Sequence, residues 1–502
     1  MEYLNYKNYL RKIADINFAG AVLSWDQETY MPPNGADFRS QQLATLAGIS
    51  HQLHTSNDFG EMLRLLKNEV SLNDIETKNV MHSIHDFQKQ KKYTTAFVEL
   101  MSNTINLSFQ AWQKAKENND FEIFAPHLEK IIDLKRQECN MLGYKDHPYD
   151  ALLDLFEPGC KTADLDRLFD DIKNQLVTFV AEIAKTKQND EHFMFKFYDK
   201  KKQWNFSLYL LSNLGFDLKS GRQDQSSHPF STNFSPKDVR ITTRTNEYDL
   251  SEIIWSTIHE VGHALYEQGM LVENYGLPAG ECASLGIHES QSRLWENNIG
   301  RSLEFWRIHY PVLQQEFPEN LAQVSLEEFH KAMNIVKPSA IRTSADELTY
   351  HFHVIIRYEI EKGLMEGSIK VNDLPTIWKQ KYKSYLGIDI TSDAKGVLQD
   401  VHWSHGSFGY FPTYSLGSIY AAQFYAAVKK QLPDLMTQIA HGDSSKLLLW
   451  LREHIHQHGR LYSVEELLVN ITGEKLSFKY FMEYAKEKYT QLYNLSDVPV
   501  KV

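Results

Sequence analysis

Apolar residues recur every three to four positions over most of the 502 residues, so the chain reads as predominantly helical. From residue 1 to about 140 these segments are long and break where turn formers cluster, at Pro32-Pro33-Asn34-Gly35 and around Ser56-Asn57-Asp58. That pattern predicts antiparallel helices. From Asp238 to Asn246 the period shortens, with Val239, Ile241 and Thr243 alternating with Arg240, Thr242 and Arg244. Such a repeat predicts a short strand, which either offers its edge to an extended peptide or simply supports its neighbours. Directly after it, Asp249-Leu250-Ser251-Glu252 resembles a helix cap, and Ile254, Ile258, Val261 and Leu265 continue at helical spacing to Gly269. Residues 286–297 carry another helical pattern ending near Gly300. Helical patterns run on from Glu281 to the end, interrupted by an aromatic, glycine-rich loop at 403–417.

The helix predicted to end at Gly269 contains His259-Glu260-Val261-Gly262-His263. Two histidines four apart on a helix project from one face, so both imidazoles reach one metal ion while Glu260 faces the attacking water. With 21 histidines in the chain, chance pairs occur, yet an accidental H-E-x-x-H is expected in only about 0.07 of such chains. Zinc in a hydrolase needs a third protein ligand and an open position. Glu289 and Glu296 are the nearest acidic donors downstream, and the turn formers Gly276, Pro278 and Gly280 let the chain return antiparallel. Glu289 is the expected third ligand. Its neighbour His288 is the rival, pointing about 100° away around the helix. Arg293, one turn beyond Glu289, either steadies that carboxylate or forms a solvated ion pair.

Five further segments accompany the zinc motif in order: His228-Pro229-Phe230, Asp238-Val239-Arg240-Ile241-Thr242, His288-Glu289-Ser290-Gln291, Ile341-Arg342-Thr343-Ser344-Ala345-Asp346, and Gly396-Val397-Leu398-Gln399-Asp400-Val401-His402-Trp403. With these the chain resembles the M32 family of metallocarboxypeptidases, whose patterns include D-x-R-x-T, I-R-x-x-A-D and G-x-x-Q-D-x-H-W. Family-like stretches at Ser24-Trp25-Asp26-Gln27-Glu28 and Gly409-Tyr410-Phe411-Pro412-Thr413-Tyr414 extend the likeness over nearly the whole chain. The resemblance implies a mainly α, zincin-like fold with a deep groove, N-terminal helices roofing it and a small β-sheet beside the zinc-binding helix. It also implies release of single C-terminal amino acids with broad specificity, one Zn²⁺ per chain with Co²⁺ able to substitute, and a homodimer.

Peptide hydrolysis by such a centre makes Glu260 the general base, later returning its proton to the leaving amine. A tetrahedral oxyanion needs further donors, for which the loop 402–414 offers His402, His405, Tyr410 and Tyr414, with Tyr410 and His402 preferred. Core packing is the competing role for each. A carboxypeptidase must also hold a free α-carboxylate, a task suited to the planar fork of arginine. Arg342, Arg240 and Arg244 are the candidates; Arg342 leads because its segment matches the family pattern and has Asp346 one turn on. Asp346 either pairs with Arg342 or orients a zinc histidine. The same metal chemistry also serves an oligoendopeptidase or aminopeptidase, and a silent helical binding protein is the alternative outside catalysis.

Composition narrows the partners. The formal charge of −12, from 53 basic and 65 acidic residues, argues against nucleic acid or an anionic membrane. Neither a leader-like start nor an apolar run long enough to span a bilayer occurs, so a cytoplasmic location is expected. Cys139, Cys160 and Cys282 lack C-x-x-C spacing, fitting reduced thiols and excluding a cysteine-built zinc site. Length alone suggests about three domains. With no linker, repeat or low-complexity run to separate them, one unit over 1–502 is expected, with 1–140 the approximate N-terminal lid and 141–502 the catalytic region.

Overall fold

The computed structural model describes residues 2–495, which are mainly helical with one three-stranded sheet. They group into two compact units: residues up to 91 with 189–333 and 420–476, and residues 92–188 with 334–419 and those from 477 onward. The division does not follow the boundary near 140. The zinc motif and the first N-terminal helices share a unit.

In the first unit, Tyr6, Leu10 and Ile13 of the helix Glu2–Thr29 pack against Phe59, Leu63 and Leu66 of the helix Asn57–Leu66 and Val80 of the helix Asp74–Gln90. The turn formers start these helices. Ser56 caps the second by accepting from the Phe59 N–H, and Asn73 with Glu76 forms a capping box for the third.

The sheet has the order β1-β3-β2, with β1 Gly221–Gln225 parallel to β3 and β2 Ser231–Ser235 antiparallel to it. β3, Asp238–Thr243, is the predicted strand, three residues shorter than the repeat suggested. It is central, so its backbone is paired on both sides and the expectation that its edge receives a peptide is corrected. Val239 and Ile241 are buried as the alternation required, but so is Thr242, because its hydroxyl receives hydrogen bonds from Ser226 Oγ and the Phe230 N–H. The outer strands leave no signal in the sequence. Their sequences, Gly-Arg-Gln-Asp-Gln and Ser-Thr-Asn-Phe-Ser, carry no apolar alternation.

The helix Leu250–Gly269 follows, started by Asp249, which accepts from the Ser251 N–H. Its apolar residues Ile254, Ile258, Val261 and Leu265 are buried. Gly262 marks a close crossing: a Cβ there would lie 2.5 Å from Ser292 Cα and 2.7 Å from the Gln291 carbonyl oxygen. The crossing helix, Leu285–Arg293, begins at Ser284, which caps the Ile287 N–H, and runs into a π-helical stretch, Leu294–Gly300. Helicity there was expected, but its widening to a π turn was not.

In the second unit the helix Tyr350–Glu366 is buried nearly all round, although it carries His353, Arg357 and Glu361. Each of these three side chains has a partner. Arg357 pairs with Asp400 at 2.6 Å, and His353 Nδ1 meets the Tyr382 hydroxyl at 2.9 Å. Glu361 accepts from the Tyr149 hydroxyl, the Trp403 indole and the Gly409 N–H. These bonds fix the segment 400–409 onto the helix. The aromatic loop ends sooner than predicted, because Pro412 opens the helix Pro412–Gln431.

Candidate metal centre

His259 and His263 lie one turn apart on the helix Leu250–Gly269, with ring centroids 4.9 Å apart. Glu289 meets them from the crossing helix that Gly262 admits. Glu289 Oε2 is 3.7 Å from His259 Nε2 and 3.4 Å from His263 Nε2, and one donor atom from each of the three lies within 4.8 Å of the others. Tetrahedral zinc with bonds of about 2.0–2.2 Å sets its ligand atoms about 3.3–3.6 Å apart. The donor set therefore fits a divalent metal.

Each of the three donor side chains is held from behind. His259 Nδ1 bonds Glu296 Oε2 at 2.8 Å and His263 Nδ1 bonds the His288 carbonyl at 3.0 Å, which leaves both Nε2 atoms to face the centre. Arg293 Nε donates to Glu289 Oε1 at 2.7 Å, so the other carboxylate oxygen faces the histidines. Burial acts on Glu289 to raise its pKa, but Arg293 and the histidines outweigh it and hold the carboxyl well below its ordinary range. Burial keeps the His263 imidazole neutral, with its pKa lowered to about 3. His259 goes the other way: burial lowers its pKa, but Glu289 and Glu296 overcome that and raise it.

Glu260 is buried and turned to β2, where its Oε2 accepts from Ser231 Oγ at 2.6 Å. Burial raises its pKa against the lowering effect of His259 and of the Ser231 hydrogen bond. A carboxylate with raised basicity beside the three donors is suited to removing a proton from water.

The rival ligand His288 stands outside the donor set. Its ring stacks on His263 at 4.5 Å, and its Nε2 bonds Glu267 at 2.9 Å. Glu296, read from sequence as a second acidic donor, instead orients His259. Arg293 and Arg301 reach it at 3.2 and 3.3 Å and, with His259, outweigh the burial that would raise its pKa, holding it at about 2. Glu296→Gln should therefore weaken metal binding by about 10–100-fold with the fold retained. Competition against a chelator of known affinity measures the change. An unaltered dissociation constant would mean that the His259 ring is held by packing alone.

Arg240 and Arg244 belong to the first unit and are already engaged. Arg240 pairs with Asp238 at 2.9 Å, its guanidinium 4.4 Å from the Trp25 ring and 4.8 Å from that of Phe234, while Arg244 pairs with Glu252. The other candidates lie in the second unit. Arg342 is buried, with Nε and Nη2 each 3.0 Å from Asp400 Oδ1 and Nη1 2.7 Å from the Tyr350 hydroxyl. Its guanidinium is 4.8 Å from the Tyr414 ring. His402 Nε2 bonds the Tyr414 hydroxyl at 3.1 Å, and burial lowers the pKa of its imidazole to about 3. Tyr410 packs 5.4 Å from the His402 ring and 5.2 Å from that of Tyr414.

Asp346 requires correction. Arg342–Ser344 is a short 3₁₀ turn flanked by extended Ile341 and Ala345, so no helix brings the aspartate beside Arg342. Asp346 accepts instead from the N–H groups of Lys337, Leu348 and Thr349, while Asp400 takes the place beside Arg342. Nor does Asp346 orient a metal histidine, since Glu296 and the His288 carbonyl fill both positions. Ser231, which bonds Glu260, is signalled by no pattern in its strand.

The sequence profile of the family described as "Carboxypeptidase Taq (M32) metallopeptidase" matches residues 5–489. "Carboxypeptidase 1" of Bacillus subtilis (strain 168) is 40% identical over 488 residues, covering 97% of each chain. A solved structure, "The Structure of CHT", shares 52% identity and superposes with a TM-score of 0.95 over 97% of this chain and 99% of that one. The M32 carboxypeptidase from Deinococcus radiodurans R1 superposes with a TM-score of 0.96 at 36% identity, covering 98% of this chain and all (100%) of its own.

Proposed function

The chain belongs to the carboxypeptidase Taq (M32) metallopeptidase family and is a metallocarboxypeptidase, and from that premise we propose that it releases single C-terminal residues of broad variety from peptides, using zinc at His259, His263 and Glu289 and Glu260 as general base. The observation that carries the assignment is the fit of the three donor atoms to a tetrahedral metal, with Glu260 beside them on Ser231. When bound, zinc acts as a Lewis acid that lowers the pKa of a water and polarises the scissile carbonyl. Glu260 would take the proton of the attacking water and pass it to the departing amine. Ser231 keeps the carboxylate aimed while it does so. Glu296 and the His288 carbonyl hold the imidazoles in the tautomer that leaves Nε2 facing inward. His402 and Tyr410 are the proposed donors to the developing oxyanion.

Metal analysis together with turnover of an N-blocked dipeptide and its C-terminal amide tests the reading. Zinc at one per chain, release of the last residue and no cleavage of the amide are expected. Equal cleavage of the amide would instead identify an endopeptidase or aminopeptidase. Cobalt is expected to restore activity to the metal-free enzyme. Among the described residues, no helix is long and apolar enough to cross a membrane.

Arg342 is the proposed holder of the terminal carboxylate. A guanidinium has five N–H groups, and Asp400 and Tyr350 occupy three, leaving one on each Nη, the pair that a carboxylate takes end-on. Arg342→Ala should reduce kcat/KM for free-acid peptides by roughly two to three powers of ten, since a charge-assisted bidentate pair is worth about 2–4 kcal/mol in a partly desolvated site. Amidated peptides, poor substrates already, should show no added loss. A fall in Tm that accounts for the lost activity, or equal losses on both substrates, would make Arg342 structural and turn attention to Arg240.

A further inference from the structure

A cavity of about 340 Å³ lies within the first unit, between the N-terminal helices and the segment that follows the metal-binding helix. Part of its wall is apolar, formed by the half-buried Phe18 and Phe87 over the core residues Phe59 and Leu277, and part is acidic, formed by Asp86, Glu267 and Glu281. A single cation serves two of these carboxylates. Arg460 makes two bonds of 2.8 Å to Asp86 and one of 3.0 Å to Glu281 Oε2. Glu267 lines the cavity and is fixed by neighbours on either side, Oε2 accepting from Asn233 at 2.6 Å and Oε1 meeting His288 Nε2 at 2.9 Å. The wall is thus preorganised for positive charge beside an apolar surface.

Asn233 and Glu267 tie the cavity to the metal centre. Asn233 stands two positions along β2 from Ser231, on the same face, and Ser231 bonds Glu260. Glu267 is one turn beyond His263, about 6 Å along the helix axis, and its partner His288 stacks on His263. An extended peptide advances about 3.3 Å per residue, so about two residues cover the rise from His263 to Glu267. Of a peptide's two ends, the carboxylate is repelled by this wall and the ammonium is attracted.

We propose that the cavity receives the N-terminal residue of tri- and tetrapeptide substrates, its ammonium against Glu281 and Glu267 and its side chain against Phe18 and Phe87. The proposal rests on the carboxypeptidase reading of the metal centre. It makes the enzyme a trimmer of short peptides with a free, apolar N-terminal residue, and leaves N-acylated chains as weaker substrates.

The test compares Leu-Ala-Ala-Phe with its N-acetyl form on the zinc-loaded, full-length enzyme at pH 7. The free amine should give a kcat/KM at least about tenfold higher, as expected for one charge-assisted contact. Replacing the N-terminal Leu by Gly should lower the value for the free peptide more than for the acetylated one. The Glu281 side chain is 59% exposed, and Asp86 still pairs with Arg460 when it is replaced, so its variants are expected to keep the fold. Glu281→Gln should bring the free-to-acetyl ratio to within about twofold of unity, and Glu281→Lys should invert it. A ratio near one in the wild type, with both peptides trimmed, overturns the cavity proposal and leaves the carboxypeptidase reading standing. A preference that survives both Glu281 variants also overturns it, because the ammonium is then bound elsewhere. If neither peptide loses its C-terminal residue, the reading of the centre falls and this proposal with it.

Discussion

Glu260→Gln is expected to lower kcat by at least ~10²–10⁴ while the chain keeps one metal ion. The expectation follows from where the carboxylate sits. Glu260 is outside the donor set of His259, His263 and Glu289, so its replacement removes no ligand. Glutamine has the same shape, and its amide oxygen continues to accept from Ser231 Oγ, which bonds Glu260 at 2.6 Å. What disappears is basicity, since an amide does not take a proton from water near neutral pH. Metal analysis and steady-state kinetics on the same preparation separate the two properties. A near-normal kcat with the metal in place would show that another group activates the water. A coupled loss of metal and activity would show that Glu260 supports the site itself.

The parts of this centre legible in the sequence are those set by helical geometry. Spacing of four puts His259 and His263 on one face whatever surrounds them, and the Asp249 cap with its apolar repeat identified the helix that carries them. Glu289 was legible because the intervening turn formers allow an antiparallel return. Gly262 carried a signal whose meaning needed the fold: only a residue without a Cβ lets the helix Leu285–Arg293 approach so closely.

Illegible features depend on tertiary partners. β1 and β2 are polar strands that β3 and side-chain hydrogen bonds hold, as when Gln223 Nε2 donates to Ser207 Oγ at 2.7 Å. The π stretch Leu294–Gly300 has ordinary helical periodicity, yet Glu296 within it orients His259 and joins Arg293 and Arg301. Asp346 was misread for a local reason. A short acidic side chain readily accepts from its own backbone a few residues on, and here it does so instead of pairing with Arg342. The partner that does pair, Asp400, stands 58 positions away and beside a second arginine, a juxtaposition that no periodicity encodes.

His263→Ala should lose most of the bound metal and all measurable activity, whereas His288→Ala should keep the metal. The pair separates His263, expected from the sequence to be a ligand, from His288, the rival there to Glu289. His263 presents Nε2 to Glu289 at 3.4 Å and is steadied at Nδ1 by the His288 carbonyl, a backbone atom that His288→Ala leaves in place. His288 directs its own Nε2 to Glu267. Removing the His263 imidazole leaves two protein donors where a hydrolytic zinc site uses three. The vacated space lies beside Glu289, whose charge Arg293 still compensates at 2.7 Å, so the helix crossing is expected to persist and circular dichroism to remain that of the parent. Metal content after dialysis against a weak chelator is the deciding measurement. Full occupancy in His263→Ala, or loss of metal only in His288→Ala, would overturn the ligand set and require a donor from outside the present cluster.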